Sequence, residues 1–549
     1  RIYFLKLQQN FLGDARMSKE MKRNRIAILL FSVFFVLTNW SVFAKDPVPE
    51  LVKQEEGYYY GYGKGATVAE AQLAAKRDLI ENALAAELKA ANVKSYKLEL
   101  SNEAVKARLT DLKPYTQSKK KEPPAVTYRI KFADWEKKEK AYTDNLRTDL
   151  ASRLNTSKNK KNPADKIAGA VDVLARLIKE GQTELLSAQP EGTELLSRRA
   201  EALCSDVSVF TLSVKDGFVG PKTKFAVKVT DSSGTAASGL SLAVSWEAPD
   251  LPADSDATEV LEVSSVIKTD SLGNASIDYP VAEEYRDRAV MLTVQSAIAR
   301  LLPSSALLKK LDAQSAVEGR YVYFSDLKAA FPSVAVPEGE FNAGAVAQDT
   351  RAQKKEAAHV ASTGAYAIDL TPVTNARYAA YLYLTQGDKA PDYFDNPDYN
   401  QGKQPVVGIS LKAAEDYAAW LSEQLGVTYR LPTEEEWEKA ARAGAEVIYP
   451  WGDQSPTDGK RANYKGNGKF SKTSPVGAFE NGNNAWGMVD VAGNVAEWTS
   501  SAHGIEGETN LRTVKGGSWM DGPTELRISN FRNINSKNGY ADVGFRLVK

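Results

Sequence analysis

The spacing of apolar and polar residues predicts a helix-rich region over residues 45–205. A tyrosine- and glycine-rich stretch at 58–65 has the pattern of a strand and a turn. It is followed by an alanine-rich segment over 70–91, whose residues have high helix propensity. Amphipathic spacing predicts two further helices over 164–186 and 193–203. Together these elements predict a helix-rich α+β module.

Between residues 206 and 300 the apolar residues recur with a period of two. Four short segments alternate in this way, at 225–229, 240–246, 275–279 and 290–294. Short alternating strands separated by turn residues are typical of a β-sandwich. Residues 301–330 are predicted to be a helix-containing linker between this sandwich and the next domain.

Residues 331–549 contain one helix whose start is clearly marked. Thr433 is placed to cap it, and Glu436 can bond back to the Thr433 N–H, which makes a capping box. Trp437 begins the apolar face of this helix, and Gly444 is placed to end it. Elsewhere the region is rich in Gly, Asn, Asp and Pro, which form turns. The whole chain is therefore expected to be an α+β multidomain protein.

Residues 1–44 have the features of an export signal preceded by an extension. A basic segment at 22–25 precedes an apolar run at 26–37, and a small-residue cleavage site ends at Ala44. A transmembrane anchor is the alternative, although the apolar run is shorter than the ~20 residues that a span needs. We expect cleavage after Ala44 and a secreted, periplasmic or cell-surface location. Membrane contact is expected only through this signal.

Composition restricts the chemistry that the chain can perform. Lys and Arg together number 70, as do Asp and Glu, so a net charge of zero does not favour nucleic acid as a partner. Cys204 is the only cysteine, which excludes an intrachain disulfide and a cysteine-rich metal site. The two histidines, His359 and His503, lack the spacing of metal ligands and are expected to be surface or hydrogen-bonding residues.

Five separate stretches of the C-terminal region contain sequence motifs of one protein family. They are 336–341, 372–378, 431–453, 493–499, and 516–519 closed by 544–546. In these stretches the region resembles the sulfatase-modifying-factor family, that is, the formylglycine-generating enzymes and their relatives. The resemblance implies a modified C-type-lectin-like fold for residues 331–549 and says nothing about the rest of the chain.

Two weaker resemblances concern the regions before it. The strand and alanine-rich helix at 58–91 are similar to small bacterial envelope lipoprotein domains, which implies an envelope module over 45–205. The turn at 268–275 resembles bacterial immunoglobulin-like domains of surface proteins. This second resemblance implies that the predicted β-sandwich acts as a spacer.

The family's enzymes oxidise a substrate cysteine with oxygen and use a copper-binding cysteine pair after a Gly-Gly-Ser motif. Ser518 matches the family's active-site serine, and the two cysteine positions fall at Asp521 and Leu526. A carboxylate is a poor ligand for Cu(I), and leucine is no ligand. The histidine-based iron site of a sulfur-oxidising branch is also unsupported. The resemblance therefore implies a domain without oxidase activity, and copper is not an expected cofactor.

Calcium is the cofactor that the sequence can retain, because it needs only oxygen ligands. The resemblance places one calcium loop at 490–498 and part of a second at 463–464. The implied ligands are Asp490, Gly493, Val495, Glu497, Asn463 and Tyr464. The aspartate expected in the second site falls near Gly468, which leaves that site incomplete. The alternative for Glu497 is a buried carboxylate bonded to N–H groups of a turn.

These features favour a non-catalytic recognition protein whose C-terminal domain binds an unknown protein or surface ligand. Its contact face is predicted on the last loop region, because Arg, Asn and Tyr side chains make good contacts. The residues of this face are Arg527, Ser529, Asn530, Arg532, Asn533, Asn535, Asn538 and Tyr540. The alternative is an ordinary hydrogen-bonded loop. Two other functions stay open, a formylglycine-generating oxidase acting on a sulfatase cysteine, and a surface display protein diversified by a retroelement.

Overall fold

The structure is a computed structural model of the chain. It describes residues 54–90, 100–117, 123–180, 195–249, 251–252, 262–279, 288–303, 305–324, 326, 330–387, 389–466, 469–502 and 509–549. The predicted export signal, His503 and Gly468 lie outside these ranges. In the described part, no helix is long and apolar enough to cross a membrane. The chain divides into two compact units, residues 1–159 with 168–202, and residues 160–167 with 203–549.

The N-terminal region contains a three-stranded antiparallel sheet and several helices. The strands are β1 (Tyr58–Lys64), β2 (Thr116–Gln117) and β3 (Ala125–Lys131), with β3 in the middle. The helices are α1 (Val68–Ala90), α2 (Asn102–Arg108), α3 (Phe132–Lys158), α4 (Pro163–Lys179) and α5 (Leu196–Ser205). β1 and α1 are the strand and the helix that the sequence predicts there. The helix predicted over 164–186 ends at Lys179, and residues 181–194 lie outside the described ranges.

Glycines in β1 allow α1 to pack directly on the strand. A Cβ atom at Gly61 would lie 2.2 Å from the carbonyl oxygen of Ala75, and one at Gly63 would lie 2.2 Å from the Ala75 nitrogen. The core beneath this contact contains Leu79 and Trp135, which are fully buried. The alternation of glycine and tyrosine in β1 therefore serves a close helix–strand contact.

The part of the second unit that follows residue 203 starts with two facing sheets. One has the strand order β4-β6-β9, with β4 (Val207–Leu212), β6 (Phe225–Asp231) and β9 (Asn274–Ile277). The other has the order β5-β11-β10-β7-β8, with β5 (Gly217–Val219), β7 (Ser241–Glu247), β8 (Glu262–Lys268), β10 (Arg288–Ser296) and β11 (Val317–Tyr323). The Phe225 ring lies 5.1 Å from the Trp246 ring and 5.0 Å from the Tyr321 ring, so aromatic side chains fill the space between the sheets. The alternating segments of the sequence correspond to β6, β7, β9 and β10.

Part of the predicted linker belongs to the five-stranded sheet. After helix α6 (Ala306–Gln314), β11 pairs antiparallel with β10 and parallel with β5. Tyr321 is fully buried, but Gly319 and Arg320 beside it interrupt the alternation that would mark a strand in the sequence. The linker prediction is therefore wrong for residues 317–323, because the two neighbouring strands supply the pairing that local sequence does not show.

The described residues of the C-terminal region form short strands, helices and many turns, as the composition predicts. β12 (Ser333–Val336) pairs with β15 (Tyr366–Asp369), and β13 (Gly339–Ala343) pairs with β14 (His359–Thr363). A four-stranded sheet has the order β18-β17-β16-β19, with β16 (Ala496–Trp498), β17 (Leu511–Lys515), β18 (Phe531–Asn535) and β19 (Val543–Gly544). The helices are α7 (Asn375–Thr385), α8 (Leu411–Leu425) and α9 (Glu434–Arg442).

Aromatic side chains join the five-stranded sheet to the C-terminal region within the second unit. The Phe218 ring lies 5.7 Å from the Phe331 ring and 5.2 Å from the Trp420 ring. The side-chain oxygen of Gln424 accepts the Phe218 N–H at 3.2 Å. Because these rings remove apolar surface from water, the contact stabilises this attachment.

Candidate functional site

Helix α9 starts as its sequence predicts. The Thr433 hydroxyl accepts the Glu436 N–H at 3.1 Å, and the Glu436 carboxylate accepts the Thr433 N–H at 2.9 Å, which completes the capping box. The helix ends at Arg442, and its cap residue is Ala443, which has a φ of 49° and lies one residue before the predicted cap, Gly444. Its apolar face carries Trp437 into the domain core, where the ring is fully buried.

A buried ion pair lies beside this tryptophan. Arg546 donates from Nε to Glu497 Oε2 at 2.6 Å and from Nη2 to Glu497 Oε1 at 2.7 Å. Trp437 Nε1 donates to Glu497 Oε2 at 2.7 Å. Arg546 also donates to the main-chain carbonyls of Asp369 and Leu370. Both charged side chains are completely buried, and each is satisfied by the other and by these donors and acceptors.

This geometry changes the interpretation of Glu497. Its donors are the side chains of Trp437 and Arg546 and not the turn N–H groups that the alternative prediction named. Because the guanidinium already neutralises the carboxylate, Glu497 needs no cation to be buried. The closing 544–546 motif of the sequence therefore has a structural task, which is to place Arg546 on this carboxylate.

Asp490 lies at the start of the same loop and is also buried. Its Oδ2 atom accepts the Gly477 N–H at 2.8 Å and an Asn494 side-chain N–H at 3.3 Å. Burial is the largest influence and raises the pKa of Asp490 to about 6, although these hydrogen bonds act in the opposite direction. A raised pKa means that the folded chain holds this carboxyl proton more tightly than the unfolded chain does.

The two predicted calcium loops touch each other. The Asn494 N–H donates to the main-chain carbonyl of Asn463 at 2.7 Å, and a Cβ at Gly493 would lie 2.5 Å from that carbonyl oxygen. Gly493 has a φ of 83°, so a side chain there would be strained as well as crowded. Val495 and Tyr464 are buried nearby in the domain core.

Three side-chain oxygens around this junction are buried without a hydrogen-bond partner. They are Asn463 Oδ1, Thr473 Oγ1 and Ser474 Oγ. The Asn494 side chain connects this group to Asp490, because it donates to both the Ser474 carbonyl and the Asp490 carboxylate. Unsatisfied buried oxygens of this kind suit a hard cation such as Ca²⁺. In the described part of the chain, no three His, Cys, Asp or Glu side chains come together as a metal site, so a cation here would depend on amide, hydroxyl and main-chain oxygens.

The pKa of Asp490 leads to a prediction about stability and pH. Because the folded carboxyl keeps its proton to about pH 6 and the unfolded one to about its ordinary value of 3.8, stability falls as the pH rises between these values. The resulting loss in the free energy of unfolding is about 3 kcal/mol, and we expect Asp490→Asn to abolish it, because an amide carries no charge to bury. The measurement is the free energy of unfolding in urea between pH 4 and pH 7.

The matched control for this series is Asp369, which is buried and whose pKa burial also raises to about 6. Asp369→Asn should remove a similar loss in the free energy of unfolding, and Asp369 lies outside the two predicted calcium loops. Calcium bound at Asp490 would favour its ionised form, so added calcium should weaken the pH dependence of the wild type and of Asp369→Asn. A pH profile that is the same in Asp490→Asn and the wild type would contradict the assignment.

The two positions at which the resemblance implies catalytic cysteines hold other side chains. The Ser518 hydroxyl donates to Asp521 Oδ2 at 2.7 Å and lies 3.1 Å from Asp542 Oδ2. Arg532 donates to the same Asp542 oxygen at 2.6 Å. Leu526 is completely buried in a hydrophobic cluster of the core. One cysteine position is therefore a carboxylate within a polar cluster, and the other is a core residue.

An aromatic pair lies next to this polar cluster. The Trp519 indole N–H donates to the carbonyl of Ala541 at 3.2 Å, and its ring lies 6.2 Å from that of Tyr399. The Lys472 ammonium lies 4.8 Å from the Trp519 ring. The sequence did not place Tyr399 and Lys472 here, because both come from loops distant in sequence. One local feature of the sequence could have identified Asp542 as a site residue, namely its position just before the 544–546 motif.

The structure corrects three of the eight predicted contact residues. Arg527 is completely buried and donates to Asp349 at 2.5 Å and to Glu356 at 2.6 Å and 2.9 Å. Ser529 donates to Glu356 at 3.1 Å, and Asn530 donates to a main-chain carbonyl; both are buried. These three residues cannot contact a partner, because internal carboxylates and carbonyls use their polar groups.

The other five predicted contact residues lie on β18 and the turn after it. Arg532, Asn533, Asn535 and Tyr540 are half-buried, and Asn538 is exposed. Several of them also brace the turn, since Tyr540 donates to the Asn535 carbonyl at 3.2 Å and Asn533 accepts a hydroxyl proton from Thr513. The predicted contact face is thus reduced to a smaller patch whose most accessible side chain is Asn538. His359 is exposed, as predicted for a surface residue.

Comparison with known proteins places the C-terminal region in a family. Residues 326–549 match the family described as sulfatase-modifying factor enzyme 1-like domain. The chain is 31% identical over 253 residues to hercynine oxygenase of Mycolicibacterium smegmatis, covering 37% of this chain and 57% of that protein. It is 41% identical over 128 residues to inactive C-alpha-formylglycine-generating enzyme 2 of Mus musculus, covering 21% of this chain and 38% of that protein.

A solved structure of similar sequence is PvdO from Pseudomonas aeruginosa, with 29% identity and a TM-score of 0.36. The match covers 39% of this chain and 93% of PvdO. The chain spans less than two thirds of the length of the two relatives named above. The five sequence stretches, the capping box of α9 and the Glu497–Arg546 pair all lie within the matched range. Residues 326–549 of this chain are therefore a sulfatase-modifying factor enzyme 1-like domain.

Proposed function

We propose that residues 326–549 act as a non-catalytic recognition domain. The observation that carries this proposal is the state of the two cysteine positions. Asp521 accepts a hydrogen bond from Ser518, and Leu526 is buried in the core, so neither position offers a thiolate for Cu(I). Cys204 is the only thiol of the chain and lies outside the domain. The inactive mouse relative, by its name, is a family member without the activity, which supports the same interpretation.

The proposed contact face is the patch of Arg532, Asn533, Asn535, Asn538 and Tyr540. Amide and guanidinium groups on a turn can adapt to a polar partner, and the tyrosine ring adds rigid contact area. Arg532, at one end of the patch, forms an ion pair with Asp542. The partner of this proposal is a protein or another surface ligand, because a chain with zero net charge does not favour nucleic acid.

Calcium belongs to the proposal as a structural ion. The residues that would hold it are Asn463, with Thr473 and Ser474 beside it, because their buried oxygens have no hydrogen-bond partner. Glu497 suits a cation less well, since Arg546 and Trp437 donate to both of its oxygens. Calcium bound at the junction of the two loops would cross-link them and stabilise the fold.

Export and a spacer complete the proposal. The basic segment, the apolar run and the small-residue site before Ala44 support secretion to a periplasm or cell surface. The two facing sheets formed by strands β4 to β11 fit an immunoglobulin-like sandwich. The Phe218 contact to Phe331 and Trp420 would hold the recognition domain on it.

The test of the non-catalytic assignment is an oxidation assay. We expect the purified chain, supplied with a sulfatase-motif peptide, copper and oxygen, to form no formylglycine above the level of a buffer blank. Asp521→Cys with Leu526→Cys should remain inactive, because the Leu526 position is enclosed by core residues and offers no path to a substrate peptide. Mass spectrometry of the peptide measures the product.

Cys204→Ser is the matched control, since it removes the only thiol of the natural chain. Product formed by the wild type and lost in Cys204→Ser would show thiol chemistry and overturn the proposal. Product formed by both proteins would show an oxidase that needs no thiol and would overturn it as well.

A further inference from the structure

The five-stranded sheet ends in a strand with an open edge. β8 pairs along its whole length with β7, from Glu262 opposite Glu247 to Lys268 opposite Ser241. Within the described ranges, no strand pairs with the other side of β8. An unpaired edge presents a row of main-chain N–H and C=O groups that can accept another strand.

β8 lacks the features that usually protect such an edge. Its sequence is Glu-Val-Ser-Ser-Val-Ile-Lys, with no proline, no glycine and no charge in its interior. Val263 is 40% exposed and Val266 is 44% exposed, although Val244 of β7 and Val290 and Val294 of β10 are buried. Its register with β7 is continuous over seven residues, without a bulge. The strand therefore has the properties of an edge that is covered by a partner.

The sequence of β8 is complementary to itself in the antiparallel direction. If two copies pair with Ser265 opposite Ser265, residue 262 lies opposite residue 268, and Val263 lies opposite Ile267 of the other copy. Each end of the pairing then joins a glutamate to a lysine, and the next pair inward on each side is the apolar Val263–Ile267 pair. Ser264 lies opposite Val266 on either side of the central serines. Opposite charges and β-branched pairs at directly opposed positions stabilise antiparallel strands.

Other registers lose this complementarity. A shift by two residues in one direction places Glu262 opposite Val266, and a shift in the other direction places it opposite Asp270. A shift by one residue exchanges the two faces of the joined sheets. In the Ser265 register, Val263 and Ile267 lie on the same face as their β7 neighbours Trp246 and Leu242, which are buried. The apolar face of the sheet thus continues across the junction.

We propose that β8 is a self-association edge, at which two copies of this chain join their five-stranded sheets around a two-fold axis through Ser265. The occupant of the edge is a second copy, because an antiparallel second β8 places a charge complement opposite both ends of the strand. Paired edges satisfy each other's main-chain groups and close the interface, so the assembly ends at two copies. This association is separate from the recognition domain and does not depend on its function.

Charge variants test the pairing in the whole chain. Sedimentation of the wild type should show a concentration-dependent dimer. Lys268→Glu places glutamates opposite each other at both ends, and Glu262→Lys does the same with lysines, so each should weaken dimerisation about tenfold or more. An equal mixture of the two variants should recover dimers, because each variant's ends complement those of the other. The double variant Glu262→Lys with Lys268→Glu should recover them alone.

A cross-link tests the register. Opposed residues of an antiparallel pair have Cα atoms about 4.5–5.5 Å apart, which is within the range of a disulfide. Ser265→Cys should form a covalent dimer under mild oxidation, whereas Leu272→Cys, which is 66% exposed in the turn after β8, should not. A wild type that stays monomeric at every concentration would overturn the proposal, as would a mixture of the charge variants that does not associate. Equal cross-linking of the two cysteine variants would overturn the register.

Discussion

Glu497→Ala is expected to lower the free energy of unfolding by about 3–5 kcal/mol, because it leaves the buried Arg546 guanidinium without its carboxylate. Arg546 is completely buried, and its two bonds to Glu497 are 2.6 Å and 2.7 Å long. The variant also leaves the Trp437 indole N–H without its acceptor. Urea unfolding followed by tryptophan fluorescence measures the loss.

Glu497→Gln is the matched control, since an amide keeps the volume and one acceptor oxygen but not the charge. Glu497→Gln should lower the free energy of unfolding by less than Glu497→Ala does. The difference between the two variants measures the contribution of the acceptor oxygen and of side-chain packing. Chelator treatment of the wild type separates an ion pair from a calcium site, because removing calcium does not disturb the Arg546 contact. If Glu497→Ala unfolds like the wild type, the ion pair does not support the fold.

Arg527→Ala should also lower the free energy of unfolding of the domain by about 3–5 kcal/mol. This result would show whether Arg527 supports the fold or is available to contact a partner. Arg527 bridges Asp349 and Glu356, and all three side chains are almost completely buried. Removal of the cation leaves two buried carboxylates close together, which is more costly than losing a surface pair. Thermal and urea unfolding of the purified chain measure the effect.

Asn538→Ala is the control from the same predicted contact face. Asn538 is exposed, so its replacement should change the free energy of unfolding by no more than about 0.5 kcal/mol. A large loss in Arg527→Ala beside an unchanged Asn538→Ala would support the smaller contact patch. Equal and small effects in both variants would return Arg527 to the set of contact candidates.

Local sequence determined the elements whose causes are local. The capping box of α9 needs only Thr433 and Glu436, three residues apart, and the structure contains both of its hydrogen bonds. Alternation of apolar residues marked β6, β7, β9 and β10, because each strand buries one face. The five separate stretches identified the family of residues 326–549, because their sequence motifs reflect a shared fold. The glycine-rich composition likewise indicated a domain of loops.

Only the tertiary structure decided which polar residues are internal. Arg527 looks like a contact residue in the sequence, but Asp349 and Glu356 lie 178 and 171 residues before it in the chain. In the sequence Glu497 resembles a calcium ligand, but in the structure Arg546, 49 residues later, donates hydrogen bonds to its carboxylate. β11 has no clear alternation and becomes a strand because β10 and β5 lie on either side of it. In each case the partner comes from a distant segment, and a charged side chain is buried only where the fold supplies such a partner, which no local pattern records.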